Sequence, residues 1–188
     1  MTSPGAGLVQ LMRDVRRLFQ ETSLLLETAD QLMKKSEWIL ETNQCVSVTT
    51  VPGSAAYWLP QCAFRFYKNE HYQHVLAFVS VVFDDSDNDR LVVEPLLTGG
   101  WFGFKRGTRV ARQSYEFDDA FTHIYQVPRR DDGTLVSNNP QDLFPDYKDQ
   151  AESVTTLGIP LLEVTTSDQL KNRLIVPLLA GIESRAVT

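Results

Sequence analysis

LVQLMRDVRRLFQETSLLLETADQLMKKSEWIL, residues 8–40, is the stretch whose reading decides the fold. Its apolar residues return every seventh position. Leu8, Val15, Thr22, Ala29 and Ser36 form one series, Leu11, Leu18, Leu25, Leu32 and Ile39 the next, and Met12, Phe19, Leu26, Met33 and Leu40 a third. Three adjoining series make a stripe broader than the seam of a two-stranded coiled coil, so the pattern predicts one long bundle-type helix over 8–42, closed by Thr42-Asn43. Ser3 and Pro4 suit the start of a helix, although Gly5 and Gly7 weaken any helical turn before Leu8.

At about 1.5 Å per residue such a helix reaches about 50 Å, whereas a compact chain of this length is roughly 40 Å across. The helix should therefore overhang its own domain or bend around it. A strict seven-residue period also favours supercoiling against another helix, in this chain or in a second copy. Either the stripe covers this chain's own sheet or part of it receives a partner, and Leu11, Leu18, Leu25, Leu32, Phe19 and Met33 are the residues expected at such a contact. Arg13, Arg16 and Arg17, then Glu21, Glu27 and Asp30, and finally Lys34 and Lys35 read as the solvated face.

Outward from the helix the pattern turns to β. Cys45 to Val51 alternates and is β-branched, Pro52-Gly53 turns the chain, and Ala56 to Tyr67 follows, with Pro60 marking an edge or bulge. Val75 to Phe83 is apolar on both faces and therefore central, and Leu91 to Leu97 comes after an acidic turn. Short connections make 45–97 an antiparallel meander. Within 99–137, Gly99 to Gly107 reads as a glycine, aromatic and basic loop, and Phe121 to Val127 as a strand pairing with Thr134-Leu-Val136 across Asp132-Gly133. Within 138–188, the polar run to Thr156 reads as a loop or lid. Thr166-Ser-Asp-Gln169 then caps a short C-terminal helix that Pro177 should break or kink. The expected fold is α+β in a single domain, 1–188: a long N-terminal helix on an antiparallel meander, a second small β segment and a short C-terminal helix.

The chain is 43% hydrophobic and 22% charged, an ordinary globular composition, and its formal charge of −6 argues against bulk binding to nucleic acid or to an anionic membrane. No apolar run approaches a membrane span and the first residues lack the form of a secretory leader, so the expectation is a soluble cytoplasmic protein. Two cysteines, Cys45 and Cys62, fit buried thiols in a reducing compartment.

Among candidate chemistries the strongest is Lys105, Arg106, Arg109 and Arg112, four cations following Gly99, Gly100 and Gly103 and the aromatic Trp101, Phe102 and Phe104. Glycines admit an anion to backbone N–H groups, cations neutralise phosphate and aromatics stack bases, so Trp101, Lys105, Arg106, Arg109 and Arg112 are a candidate site for a nucleotide or other phosphate-bearing ligand. The alternative is a glycine-bulged edge strand whose arginines pair with carboxylates. His71 and His74 with Glu70, and His123 or Cys62, have zinc-ligand chemistry but no zinc-site spacing, and read as turn histidines. Asp85, Asp87 and Asp89 start a calcium-loop pattern that fails at Arg90 and Leu96. Asp118-Asp119 and Pro145-Asp146 are isolated acidic motifs, and no nucleophile elbow is present. No catalytic residue, metal ligand or cofactor is assigned on this basis. The leading expectation is a non-catalytic interaction or accessory module, self-association through the helix being one mode; a phosphate-ligand sensor comes second and a metal-dependent hydrolase third.

Overall fold

The computed structural model describes residues 4–41, 46, 62–83, 94–104, 132–139 and 151–186. Helix α1 (Pro4–Lys34) is followed by strands β1 (Ile39–Leu40), β2 (Cys62–Lys68), β3 (Val75–Val82), β4 (Leu96–Phe104), β5 (Val136–Asn138) and β6 (Ala151–Pro160). A 3-10 turn (Leu161–Glu163) then leads into α2 (Ser167–Leu170), a π-helical turn (Lys171–Ile175) and α3 (Val176–Ala186). The six strands form one sheet in the order β1-β2-β3-β4-β6-β5, and every neighbouring pair is antiparallel. The architecture is α+β, as the pattern predicts.

Register and alternation together decide what faces the helices. Ala63, Val81, Leu97 and Ile159 lie in one cross-strand row, Arg65, Val79, Gly99 and Leu157 in the next, and Tyr67, Ala77, Trp101 and Thr155 in a third. The apolar members of these rows share a buried cluster with Leu26, Ala29 and Met33 of α1, and with Leu174, Leu178 and Ile182 of the C-terminal helical segment. The opposite face carries a separate buried cluster rich in phenylalanine, in which Phe78 and Phe102 are 5.7 Å apart. Val75–Val82 is buried at every position, the central strand its unbroken apolar run implies.

Several boundaries differ from the sequence expectation, each for a definite reason. α1 begins at Pro4, so Gly5 and Gly7 are accommodated within its first turns, and it ends at Lys34 rather than near residue 42. The stop is a Schellman motif: Glu37 takes φ 64°, the Trp38 N–H donates to the Met33 carbonyl at 3.1 Å and the Glu37 N–H to Lys34 at 3.1 Å. Trp38 and Met33, the residues this motif brings together, are both buried, and Trp38 stacks on Tyr72 at 5.9 Å. Ile39 and Leu40, counted in the stripe by period alone, instead pair with Lys68 and Tyr67.

A left-handed backbone at a side-chain-bearing residue costs about 1–2 kcal/mol, part of which glycine returns through its greater unfolded-state entropy. Glu37→Gly is therefore expected to stabilise the fold by about 0.5–1 kcal/mol and to raise Tm by roughly 2 °C in a thermal scan. The ion pair lost with it, Glu37 to His71 at 3.7 Å, is exposed on both sides and contributes little. A lower Tm would contradict this account of the helix end.

Residues Gly99–Phe104 are not a loop but part of β4, paired on both sides, with a register shift at Gly103/Phe104. Glycine here makes room for neighbours: the Phe78 ring lies over Gly100, and Leu174 packs over Gly99. Residues 151–156, read as the end of a loop or lid, belong to β6 inside the sheet, since threonine is β-branched and Ser153, Thr155 and Thr156 are buried. The turn at Asp132-Gly133 is present, with Gly133 at φ 78° and the Thr134 N–H donating to Asp132 at 2.9 Å, and β5 behind it pairs with β6. Its expected partner 121–127 lies outside the described residues, as do most of 45–61, residues 84–93 and residues 105–131. The capping box forms as predicted, Thr166 accepting from the Gln169 N–H while the Gln169 side chain accepts from the Thr166 N–H. Pro177 does not break the helix. A proline ring crowds the carbonyl four residues back, and the chain relieves this by widening into the π turn 171–175, where the Val176 N–H reaches the Lys171 carbonyl.

Candidate interaction surface

The two halves of α1 meet different surroundings. From Thr22 onward the helix is seated: Thr22, Leu26, Ala29 and Met33 are buried, spaced so that one face meets the sheet. Asp30 adds a polar clamp, accepting from the Tyr67 hydroxyl at 2.7 Å and from Arg65 Nε at 3.3 Å. Arg65 and Tyr67 are two apart on β2 and so project from the same face, which lets a single carboxylate take both. Tyr67 is fully buried, and its phenol is pushed well above its usual pKa, first by burial and then by the charge and hydrogen bond of Asp30.

The N-terminal half overhangs. From Gly5 to Leu18 every residue except Val15 is exposed, and this half includes Leu8 at 63% and Leu11 at 58%. The heptad spacing runs on through this segment although none of its residues belongs to the buried core formed by the described residues. An isolated helix of this length is marginal in water, but here it extends an anchored helix and carries no nucleation cost of its own. Pairs one turn apart support it, Gln10 donating to Asp14 at 2.9 Å and Arg17 to Glu21 at 2.8 Å. Phe19, at the junction, packs edge-on against Phe83 at 5.4 Å.

Beside the junction lies an open apolar groove of about 420 Å³, lined chiefly by Leu18, Leu24 and Leu25 of α1 and by Leu161, Leu162 and Leu170. Leu24 is exposed, and Leu162 at 75% is the most exposed large apolar side chain among the described residues. The 3-10 turn that supplies Leu161 and Leu162 is held by Arg173 donating to Glu163 at 2.6 Å and by the Leu161 N–H donating to Pro95 at 2.9 Å.

The structure thus divides the six stripe residues chosen from sequence. Leu11 and Leu18 are exposed, Phe19, Leu25 and Leu32 are half-buried, and Met33 lies in the core. Leu24 and Leu162, which also line the groove, are not among those six. Leu24 carried a signal, since three consecutive leucines at 24–26 cannot all point to one side of a helix, whereas nothing local marks Leu162.

Of the phosphate-site candidates, Trp101 is 3% exposed, with its ring against Gly181 of α3, so it is a core residue and not a surface stacking platform. Lys105, Arg106, Arg109 and Arg112 lie outside the described residues. His71 and His74 lie in the turn before β3, and no group of three or more potential metal ligands occurs among the described residues. Cys62 opens β2 beside the phenylalanine cluster, while Cys45, His123, Asp85, Asp87, Asp89, Asp118, Asp119 and Asp146 lie outside the described residues. Among the described residues no helix is long and apolar enough to cross a membrane.

Comparison with models of known families, with curated proteins and with solved structures returned no match.

Proposed function

We propose that this protein is a non-catalytic interaction or accessory module whose contact surface is the overhanging half of α1 together with the groove beside it. The observation that carries this reading is the run of exposed apolar side chains Leu8, Val9, Leu11 and Met12, displayed on the half of α1 that holds no buried residue among those described. Scattered single apolar residues on a surface are ordinary, but a contiguous apolar face beside an apolar groove is a mark of an association site. Fully burying an apolar side chain of this size is worth about 1.5–3 kcal/mol, and covering what remains exposed of these four offsets part of the cost of association.

A photo-reactive side chain placed at position 11 in the native host tests this. Cross-linked adducts of discrete mass are expected from position 11, and none from position 20, which is exposed on the far side of the helix. An unmodified chain from both positions would remove the overhang as a contact surface.

A further inference from the structure

Leu170, Leu174, Leu178 and Ile182 follow one another at a spacing of four, and all are buried. An α-helix does not keep such a series on one face, because it advances about 100° per residue and drifts by about 40° at each step of four. It brings together residues seven apart instead, and seven before Leu178 stands Lys171. In an uninterrupted helix Lys171 would therefore point into the core and Leu170 would turn off its edge. The structure shows the reverse: Lys171 is exposed, while Leu170 is 2% exposed. The π turn makes the difference. Its hydrogen bond spans five residues where an α bond spans four, as in the Val176 N–H reaching the Lys171 carbonyl, so one turn takes up one residue more.

We infer, resting on the reading of the groove as a contact surface, that the π turn is the device that aims the groove's far wall: 171–175 holds one residue in excess, and that residue turns the preceding segment by about 100° into the position in which it lines the groove opposite α1. Pro177 is its positioning residue, although it lines no part of the groove. Proline has no N–H to give to the carbonyl of Arg173, so an α bond is already missing at this place, and the excess residue costs less here than elsewhere in the helix.

The turn is also joined directly to the wall. Leu170, the residue before it, both lines the groove and occupies the core. Arg173, within it, donates to the Glu163 carboxylate at 2.6 Å and to the Glu163 carbonyl at 3.4 Å, which ties the turn to the segment carrying Leu161 and Leu162. Asn172 is exposed. Without it the four buried residues would stand three, four and four apart, the spacing of an ordinary α-helical stripe.

Thermal unfolding of the full chain tests this through deletions. Removal of Asn172 together with Pro177→Ala is expected to give a continuous α-helix that melts at or above wild type. Removal of Asn172 alone should lower Tm by roughly 10 °C, since the proline then stands inside a regular helix. Pro177→Ala in the undeleted chain should move Tm by roughly 2 °C or less, because the excess residue already accommodates the ring. Deleting the exposed Ala180 is the control and should abolish the transition. It would set Ile182 in the place of Gly181, where an added Cβ comes within 2.7 Å of Trp101 and Leu135, and Glu183 in the buried place of Ile182. Equal gains from Pro177→Ala with and without Asn172 overturn the inference, as does a doubly altered chain that fails to fold or an Ala180 deletion that melts like wild type. A photo-reactive side chain at position 162 in the native host reads the wall itself: the same adducts are expected from wild type and from the straightened chain, and their loss in the straightened chain alone would show the wall displaced and the inference wrong. If neither position 11 nor position 162 yields an adduct in wild type, the interaction reading fails, while the melting temperatures still decide the role of the π turn.

Discussion

Gly100→Ala is expected to cost about 3 kcal/mol or more, a large share of the stability of a typical domain, and to leave much of the protein unfolded in mild denaturant. A methyl group at this position would lie 2.3 Å from the Thr155 carbonyl oxygen and 2.5 Å from Cζ of Phe78. Neither neighbour has room to retreat. Thr155 belongs to β6, hydrogen-bonded to β4 over its length, and Phe78 is fully buried in β3, with its ring 5.7 Å from that of Phe102. Interiors packed at crystal density transmit such an insertion instead of absorbing it. Gly5→Ala is the control, because nothing lies within 4 Å of the Cβ it would add and an exposed helical glycine replaced by alanine gains roughly 0.5–1 kcal/mol. Chemical denaturation should move the two midpoints in opposite directions. A wild-type midpoint for Gly100→Ala would mean that Phe78 does not lie across β4 as described.

The same position shows why part of this fold is legible in the sequence and part is not. Heptads and all-apolar runs report an element's own face, so α1 and β3 could be read directly, as could the Thr166/Gln169 box, whose partners are three residues apart. What glycine does at 99, 100 and 103 is set by side chains from other elements, Leu174, Phe78 and Ser153 among them, and without them the run reads as a loop. In β6, polarity suggested a loop, while the β-branched threonines, the better signal, fit a strand whose hydroxyls find partners inside the sheet, as Thr155 does on Ser137 at 3.1 Å. The helix end was hidden for a different reason: Glu37 adopts a backbone that usually calls for glycine, so composition gave no stop sign.

The candidate surface follows the same division. Its stripe is local and visible, but the point where the home core ends depends on the extent of the sheet. The far wall of the groove, at 161–170, is more than 130 residues away along the chain from α1's contribution. No periodicity in residues 8–40 locates that boundary, and so the stripe alone does not distinguish the seated half of the helix from the exposed one.

What fixes that boundary physically is the seat of the second half, and Asp30 is its polar element. Asp30→Ala is expected to cost about 3 kcal/mol, near 9 °C in Tm, because it removes the acceptor of a fully buried hydroxyl and the carboxylate facing Arg65 together. Tyr67→Phe should cost less, since it deletes the donor along with its need for a partner, and the double variant should cost less than the two singles combined. Hydrogen exchange gives the spatial test: residues 22–33 of α1 should lose protection in Asp30→Ala before the central strands do, because the apolar contacts of β3 and β4 are untouched. The overhang takes its direction from this seated half. Loosening the seat should therefore weaken cross-linking from position 11 as well, even though Asp30 faces its own sheet and not the groove. A normal melting temperature in Asp30→Ala would show that Leu26, Ala29 and Met33 hold the helix unaided, and the clamp would then have no part in aiming the surface that α1 presents.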